Sequence, residues 1–274
     1  MRIAVILSLF FQGRFDPLSL HLPRNDADYL SKRVAAIEDT SGRFLGSGFF
    51  VSLDERPRWV YLATNFHVAG RSGRVIAFVN GHSYTVRPFV KDSIADIVLM
   101  TIDVRQRNAS DSFGDPDSPA SETPPPSFSL PATVQRSRFI LDRSLLWPGM
   151  FTVLSGYPFG AGLDYPYSPS LSFGRISRMD GQDSMIRIEG ILDLGSSGSP
   201  VFTWVSSDAG ERVRLLGMAR SFQVARCLSS QAGDTLVVQS GLYEIVPAWL
   251  IYKVLLKADS TVMAFISKRN EEEQ

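Results

Sequence analysis

A serine set between glycines can carry acyl transfer. In the run Glu189-Gly190-Ile191-Leu192-Asp193-Leu194-Gly195-Ser196-Ser197-Gly198-Ser199-Pro200-Val201-Phe202, an apolar stretch reaches a tight turn of small residues and then resumes as an apolar strand. Glycine permits backbone shapes that a side chain forbids. A Gly-X-Ser-Gly turn can therefore expose the Ser197 hydroxyl while aiming consecutive N–H groups at one point. Acyl transfer needs that pairing of nucleophile and oxyanion hole. A serine-rich loop between two strands is the plainer alternative. The hydroxyl stays a weak nucleophile until a base takes its proton, and an imidazole base is held in one tautomer by a carboxylate. Three histidines are present, His21, His67 and His82. His21 lies in a polar lead, and His82 follows a hairpin turn and alternates toward solvent. His67 alone ends an apolar strand. Asp96 stands at the entrance of another, with Asp92 as a nearby competitor. His67, Asp96 and Ser197 each sit where a strand gives way to a loop, points that a rigid scaffold can bring together.

The elements that must position them read as strands. Residues 33–38, 44–52 and 59–64 are apolar runs separated by turn chemistry, and 90–102 leads through Asp96 into another. Residues 75–79 and 82–86 flank Asn80-Gly81, the strongest local signal for a two-residue hairpin turn. Residues 105–126 are rich in Ser, Asp and Pro and read as a mobile linker. Strand signals return at 150–155, 170–177, 184–188, 200–205, 213–222, 236–238 and 241–245. Pro247 opens a helical pattern at a first-turn position that tolerates proline, and 267–274 reads as a charged, frayed end. Short strands punctuated by turns imply an all-β barrel or sandwich.

Composition bounds the function. Apolar residues make up 44% of the 274, enough for a substantial core. Basic and acidic residues balance at 28 each, which leaves no electrostatic footprint for nucleic acid. Cys227 is the sole cysteine, so packing rather than an intrachain disulfide holds the fold. That suits a cytosolic or bacterial protein better than a disulfide-dense secreted one. No apolar run reaches the length of a membrane span. Met1-Arg2 and the apolar residues 3–11 read either as a signal segment or as an arm docked on the domain. A signal segment would make the protein secreted or periplasmic, and otherwise a cytoplasmic location is favoured. One cysteine and three scattered histidines suggest no metal site, and no dinucleotide or phosphate-loop pattern suggests a cofactor. An α/β-hydrolase would need glycine where Ser199 stands and a βαβ alternation that is missing from the pattern.

Seven landmarks, in order over roughly residues 33 to 257, resemble one family. Gly46-Ser47-Gly48-Phe49-Phe50-Val51 resembles a GSGFII strand, and Ala63-Thr64-Asn65-Phe66-His67-Val68 resembles a TNxHV motif. Asn80-Gly81, Ala95-Asp96-Ile97-Val98-Leu99, Gly156-Tyr157-Pro158-Phe159-Gly160, Phe173-Gly174-Arg175-Ile176-Ser177 and the 189–200 segment follow suit. The order His, Asp, Ser is that of chymotrypsin-like serine proteases, and the wording is similar to the HtrA (Deg) type. The resemblance implies two antiparallel six-stranded β-barrels with a C-terminal helix. It places an arm or signal segment at 1–32, the first barrel at 33–102, an inter-barrel linker at 103–146, the second barrel at 147–246, and a helix and tail at 247–274. It implies a serine endopeptidase acting on proteins or peptides through an acyl-enzyme. Ser197 would be the nucleophile, His67 the base and Asp96 its orienting carboxylate. The N–H groups of Gly195 and Ser197, with that of Ser196 between them, would form the oxyanion hole. Substrate would add as a strand to Arg220-Ser221-Phe222, beside a pocket wall of Ile191, Leu192 and Leu194, with small to medium apolar side chains before the scissile bond.

Departures from the family are equally legible. Ending soon after its final helix, the chain is expected to lack the peptide-binding PDZ module. Ser199 and Ser196 replace a glycine and an asparagine of the nucleophile motif. In chymotrypsin-type zymogens a freed N-terminal amine pairs with an aspartate just before the nucleophile. Ser196 is neutral and cannot anchor an ammonium group, so loop packing must order the site. Removing residues up to about Asp28 should then leave the rate within a few-fold. The competing reading is a protease-fold binding module with little turnover.

Overall fold

Two sets of strands close on themselves. The computed structural model describes residues 24–53, 59–102, 130–158, 169–179, 185–190, 192–207, 210–228 and 235–272. His21, the signal-or-arm segment 1–23 and residues 103–129 of the expected linker lie outside them. The first barrel is built from β1 (Val34–Asp39), β2 (Phe44–Ser52), β3 (Tyr61–Thr64), β4 (Val75–Val79), β5 (His82–Asp92) and β6 (Ile97–Ile102). Its antiparallel strands run in the order β1-β4-β5-β6-β3-β2, and β2 pairs back onto β1. Alternation fills it: Ala35, Ile37, Phe50, Leu62, Ala77 and Met100 turn inward. Asn80 (φ 51) and Gly81 (φ 77) make the β4–β5 turn with both central residues at positive φ, as Asn-Gly implies.

The short strand β7 (Val134–Gln135) lies parallel on β2, with Val51 opposite Val134. The second barrel comprises β8 (Phe151–Gly156), β9 (Ser170–Met179), β10 (Ile186–Gly190), β11 (Pro200–Ser207), β12 (Gly210–Leu228) and β13 (Thr235–Pro247), ordered β10-β13-β12-β11-β8-β9 and closed. Leu154, Ile176, Ile188, Val201, Leu216 and Ile245 fill its interior. A further core lies between the barrels, where Phe49, Val51 and Leu99 of the first meet Phe202, Leu215 and Met218 of the second. This seam explains why β2 and β6 read as continuous apolar runs rather than alternating ones. Both of their faces are buried.

Two helices close the seam. The sequence read residues up to Tyr29 as a polar lead, yet Arg24–Ser31 is helical (α1). Its Leu30 is fully buried in the inter-barrel core, Tyr29 meets Phe202 edge to face, and the Trp204 indole donates to Asp26 at 3.1 Å. Tertiary contacts thus override a weak local signal. After the one-turn helix α2 (Phe66–Ala69), the last helix is α3 (Ala248–Glu272). Pro247 ends β13 instead of opening this helix. Ala248, Ile251, Leu255, Ala258 and Val262 are buried at helical spacing, and the helix runs on through residues expected to fray. Residues 130–146, read as the end of a linker, carry β7 and two 3₁₀ turns, and bury Val134, Phe139 and Ile140. Among the described residues no helix is long and apolar enough to cross a membrane.

Candidate active site

His67 is presented by a single helical turn. Asn65, fully buried and extended (φ −71, ψ 147), caps α2 at the end of β3. Its side-chain amide donates to the Asp96 carbonyl at 3.2 Å, and the Phe66 N–H donates to the same oxygen at 3.1 Å. Asp96 itself sits at φ 58, a left-handed conformation that aspartate tolerates at a local cost. That turn points the carboxylate back at His67, which it holds twice. Oδ1 accepts the His67 backbone N–H at 3.0 Å, and Oδ2 meets the ring Nδ1 at 2.8 Å. Nε2 is then the ring nitrogen left for proton transfer. Burial raises the Asp96 carboxyl, but the hydrogen bonds and charge of His67, and then the Arg220 guanidinium, outweigh it, so its pKa lies below the usual carboxylate value.

Arg220 reaches this pair by way of a bulge. Ala219 opposes Ile245 and Ser221 opposes Glu244, so Arg220 has no partner of its own in the β12–β13 register. Bulges next to sites re-aim side chains. Here Arg220 Nε lies 3.3 Å from Asp96 Oδ2. Its backbone carbonyl accepts the Ser197 hydroxyl at 3.2 Å. His67, Asp96, Arg220 and Ser197 therefore form one chain of contacts across the seam. Among the described residues the Ser197 hydroxyl bonds to Arg220 and not to His67. The competing carboxylate, Asp92, is occupied locally, where its Oδ1 accepts the N–H groups of Ile94 and Ala95.

The loop that carries Ser197 is laced on both sides. Ser196 N–H donates to Asp193 O at 3.1 Å and Ser199 N–H to Ser196 O at 3.0 Å. Gly198 N–H donates to Ala219 O at 2.9 Å, and Ala219 N–H to Ser199 O at 2.8 Å, tying the loop to β12. Gly195 (φ 94) and Gly198 (φ 86) lie in the left-handed region that glycine enters freely. At Gly198 a Cβ would run into the Ser47 carbonyl and Thr64 Oγ1, so the first barrel itself demands glycine there. The N–H groups of Gly195 and Ser197 donate to nothing among the described residues. Ser196 N–H, expected between them, donates inside its own turn to Asp193 O.

Two residues of the expected pocket wall are among those described. Ile191 lies outside the described residues. Leu192 is buried in the core of the second barrel, whereas Leu194 is 62% exposed. Ser221 is exposed and Phe222 half-buried against the second core. The pairing of β12 with β11 runs as far as Met218, and among the described residues no strand pairs with Arg220–Phe222 on that side. A hollow of about 470 Å³ opens elsewhere, lined by Leu53, Arg136, Phe139, Leu145 and Arg214, and none of the expected site residues lines it. Among the described residues no three His, Cys, Asp or Glu side chains stand close enough to hold a metal ion. The sequence reading passed over Asn65, the Arg220 side chain and Ser47. The neighbours of the first two in the motifs were visible, but the contacts that give them roles span 31 residues and more.

Residues 46–208 match the family model of the trypsin-like peptidase domain. Among solved structures, the serine endoprotease from Yersinia pestis is similar at a TM-score of 0.54 and 19% identity, over 85% of this chain. This chain spans 65% of the length of that one. Rv3671c from M. tuberculosis H37Rv, in an inactive mutant form, is similar at a TM-score of 0.52 and 18% identity, over 91% of this chain and 96% of its own. At such identities the likeness carries the two-barrel fold alone. A comparison with curated proteins finds no match.

Proposed function

We propose that this chain, which belongs to the trypsin-like peptidase domain family, is a serine endopeptidase working through His67, Asp96 and Ser197. One observation carries the reading. Asp96 grips His67 by ring and backbone together, and the Ser197 loop comes to the same place from the other barrel. The hydroxyl would leave the Arg220 carbonyl and turn to Nε2, an adjustment common when substrate completes a site. Nε2 takes the Ser197 proton as Oγ bonds to the scissile carbonyl carbon, and the π pair moves onto the carbonyl oxygen. The free N–H groups of Gly195 and Ser197 receive that oxyanion. Collapse expels the amine, which takes the proton from the imidazolium, and leaves an acyl-serine. Water repeats the sequence to release the acid. Asp96 remains ionised throughout and stabilises the charged ring. Substrate backbone adds along Arg220–Phe222, where the edge of β12 is open.

A second reading, a protease fold that binds with little turnover, draws on the Ser197 hydroxyl resting on Arg220. A fluorophosphonate probe decides between them. Labelling that disappears in Ser197→Ala supports the enzyme. A folded protein that stays unlabelled, and that cleaves no member of a peptide library, supports binding.

A further inference from the structure

Ser47 stands in the first barrel, fully buried, and touches the nucleophile loop twice. Its N–H donates to the Ser197 carbonyl at 2.8 Å. Its hydroxyl donates to the Gly195 carbonyl at 2.9 Å and accepts the Tyr157 N–H at 3.1 Å. Its own carbonyl accepts the Thr64 hydroxyl at 2.7 Å. Each polar group of Ser47 is thus engaged, and the partners come from β3, from the end of β8 and from the loop 195–197. Two carbonyls of that loop are pinned, and their peptide planes carry the N–H groups of Ser196 and Gly198; the amides of Gly195 and Ser197, which donate to nothing among the described residues, lie in the planes joined to these. A pinned carbonyl fixes its own peptide plane, because rotating the plane would leave a buried acceptor unsatisfied, and it limits how far the adjoining planes can turn; the Ser197 amide lies between the two pinned planes and the Gly195 amide just before the first.

We infer that Ser47 is a positioning residue: its hydroxyl holds the loop in the orientation that keeps both amides free for a developing oxyanion. Ser196 offers no charge to order this loop, and the clamp from the other barrel takes that task. Tyr157 fixes the clamp in turn. By giving its N–H to the Ser47 oxygen, it leaves the hydroxyl proton for Gly195. The inference rests on the proposed role of Ser197, but it can be tested apart from turnover.

The variants are Ser47→Ala and the near-isosteric Ser47→Cys, both in the full chain. The comparison is Ser52→Ala, which removes another buried hydroxyl of β2, the one paired with Thr133. With a peptide ester, both Ser47 variants should lose about ten- to hundredfold in kcat with KM within about threefold, since the amides act on the transition state. Affinity for a peptidyl boronic acid, which places an oxyanion-like oxygen at the same amides, should fall by a similar factor. Ser52→Ala should lower the melting temperature while leaving kcat and inhibitor affinity within about twofold. Amide exchange over 195–198 should speed up in Ser47→Ala and not in Ser52→Ala. Unchanged kcat, or equal losses in the Ser47 and Ser52 variants, would overturn the inference. If the wild-type chain proves to hydrolyse nothing, the endopeptidase reading fails on its own, and exchange still decides the clamp. Wild-type exchange rates at 195–198 in a folded Ser47→Ala protein would sink it.

Discussion

The two barrels bring their share of the chemistry to the seam by different means. The first brings together the proposed base, His67, and its carboxylate, Asp96, from its own strands. Asn65, Phe66, His67 and Asp96 hold one another through four short contacts within a single barrel. The second supplies a loop whose orientation depends on a residue of its neighbour, Ser47, and on the bulged strand β12. Apart from Arg220, the contacts of the imidazole–carboxylate pair thus come from one barrel, whereas those of the loop carrying Ser197 come from both. Such a division leaves the oxyanion loop as the part that packing, ligand or partner can adjust.

Breaking the pair and breaking the loop should differ in size. Ser197→Ala and His67→Ala should each reduce hydrolysis by up to on the order of a million-fold, and the double variant by little more, because such residues act as a unit. Asp96→Asn should cost on the order of 10⁴ in kcat by presenting the wrong tautomer. Near-normal turnover in any of these, measured with a peptide ester, would dissolve the proposed triad. Docking of the barrels is the next largest lever. Truncation after residue 23 spares α1, whereas truncation after residue 31 removes Leu30 and the Tyr29–Phe202 contact from the seam. The shorter cut should leave the rate within a few-fold. The longer one should cost about 2–5 kcal/mol in stability, read by denaturant unfolding. The sequence placed the tolerated limit near Asp28. The structure moves it to 23, because α1 is part of the core.

The smallest effect lies in the first barrel alone, at the β1–β2 turn. Asp39 accepts from Ser41 N–H and hydroxyl, and from Arg43 N–H and Nε. The Ser41 hydroxyl first, and then the Arg43 backbone, hold its carboxyl down to about 2. A carboxyl depressed on folding stabilises above its unfolded pKa, near 4, and that contribution fades as pH falls through about 2. Asp39→Asn should therefore lower the melting temperature slightly at pH 6, and the gap to the wild type should close near pH 2. A gap that persisted there would show that the turn owes nothing to ionisation.

How much of this was legible in the chain differs by range. Local chemistry carried the Asn80-Gly81 hairpin, the strands of both barrels, and the positions of His67, Asp96 and Ser197 at strand ends. These follow from backbone propensities and from side-chain alternation, which neighbouring residues determine. The burial of Leu192 was not legible, because a leucine in a glycine-flanked loop gives no sign of which way it turns. Its place in the second core depends on Ile188 and Tyr243, residues far apart in the chain. The helix α1 was missed because eight residues with one buried leucine have little helical signal until Phe202 and Trp204 are there to receive them.

What the sequence by itself determined is the kind of group available at each turn: a hydroxyl between glycines, an imidazole after a strand, a carboxylate before one. What only the tertiary structure decided is which groups meet. Arg220 looked like one residue of a substrate edge, and a bulge turned its guanidinium onto Asp96. Ser47 appeared only as one residue of the Gly46–Val51 motif, and the docking of the barrels set its hydroxyl 2.9 Å from the Gly195 carbonyl, 148 residues away. Hydrogen bonds fade within a few ångströms, so such contacts are specified by the packing of whole barrels and leave no trace in local spacing.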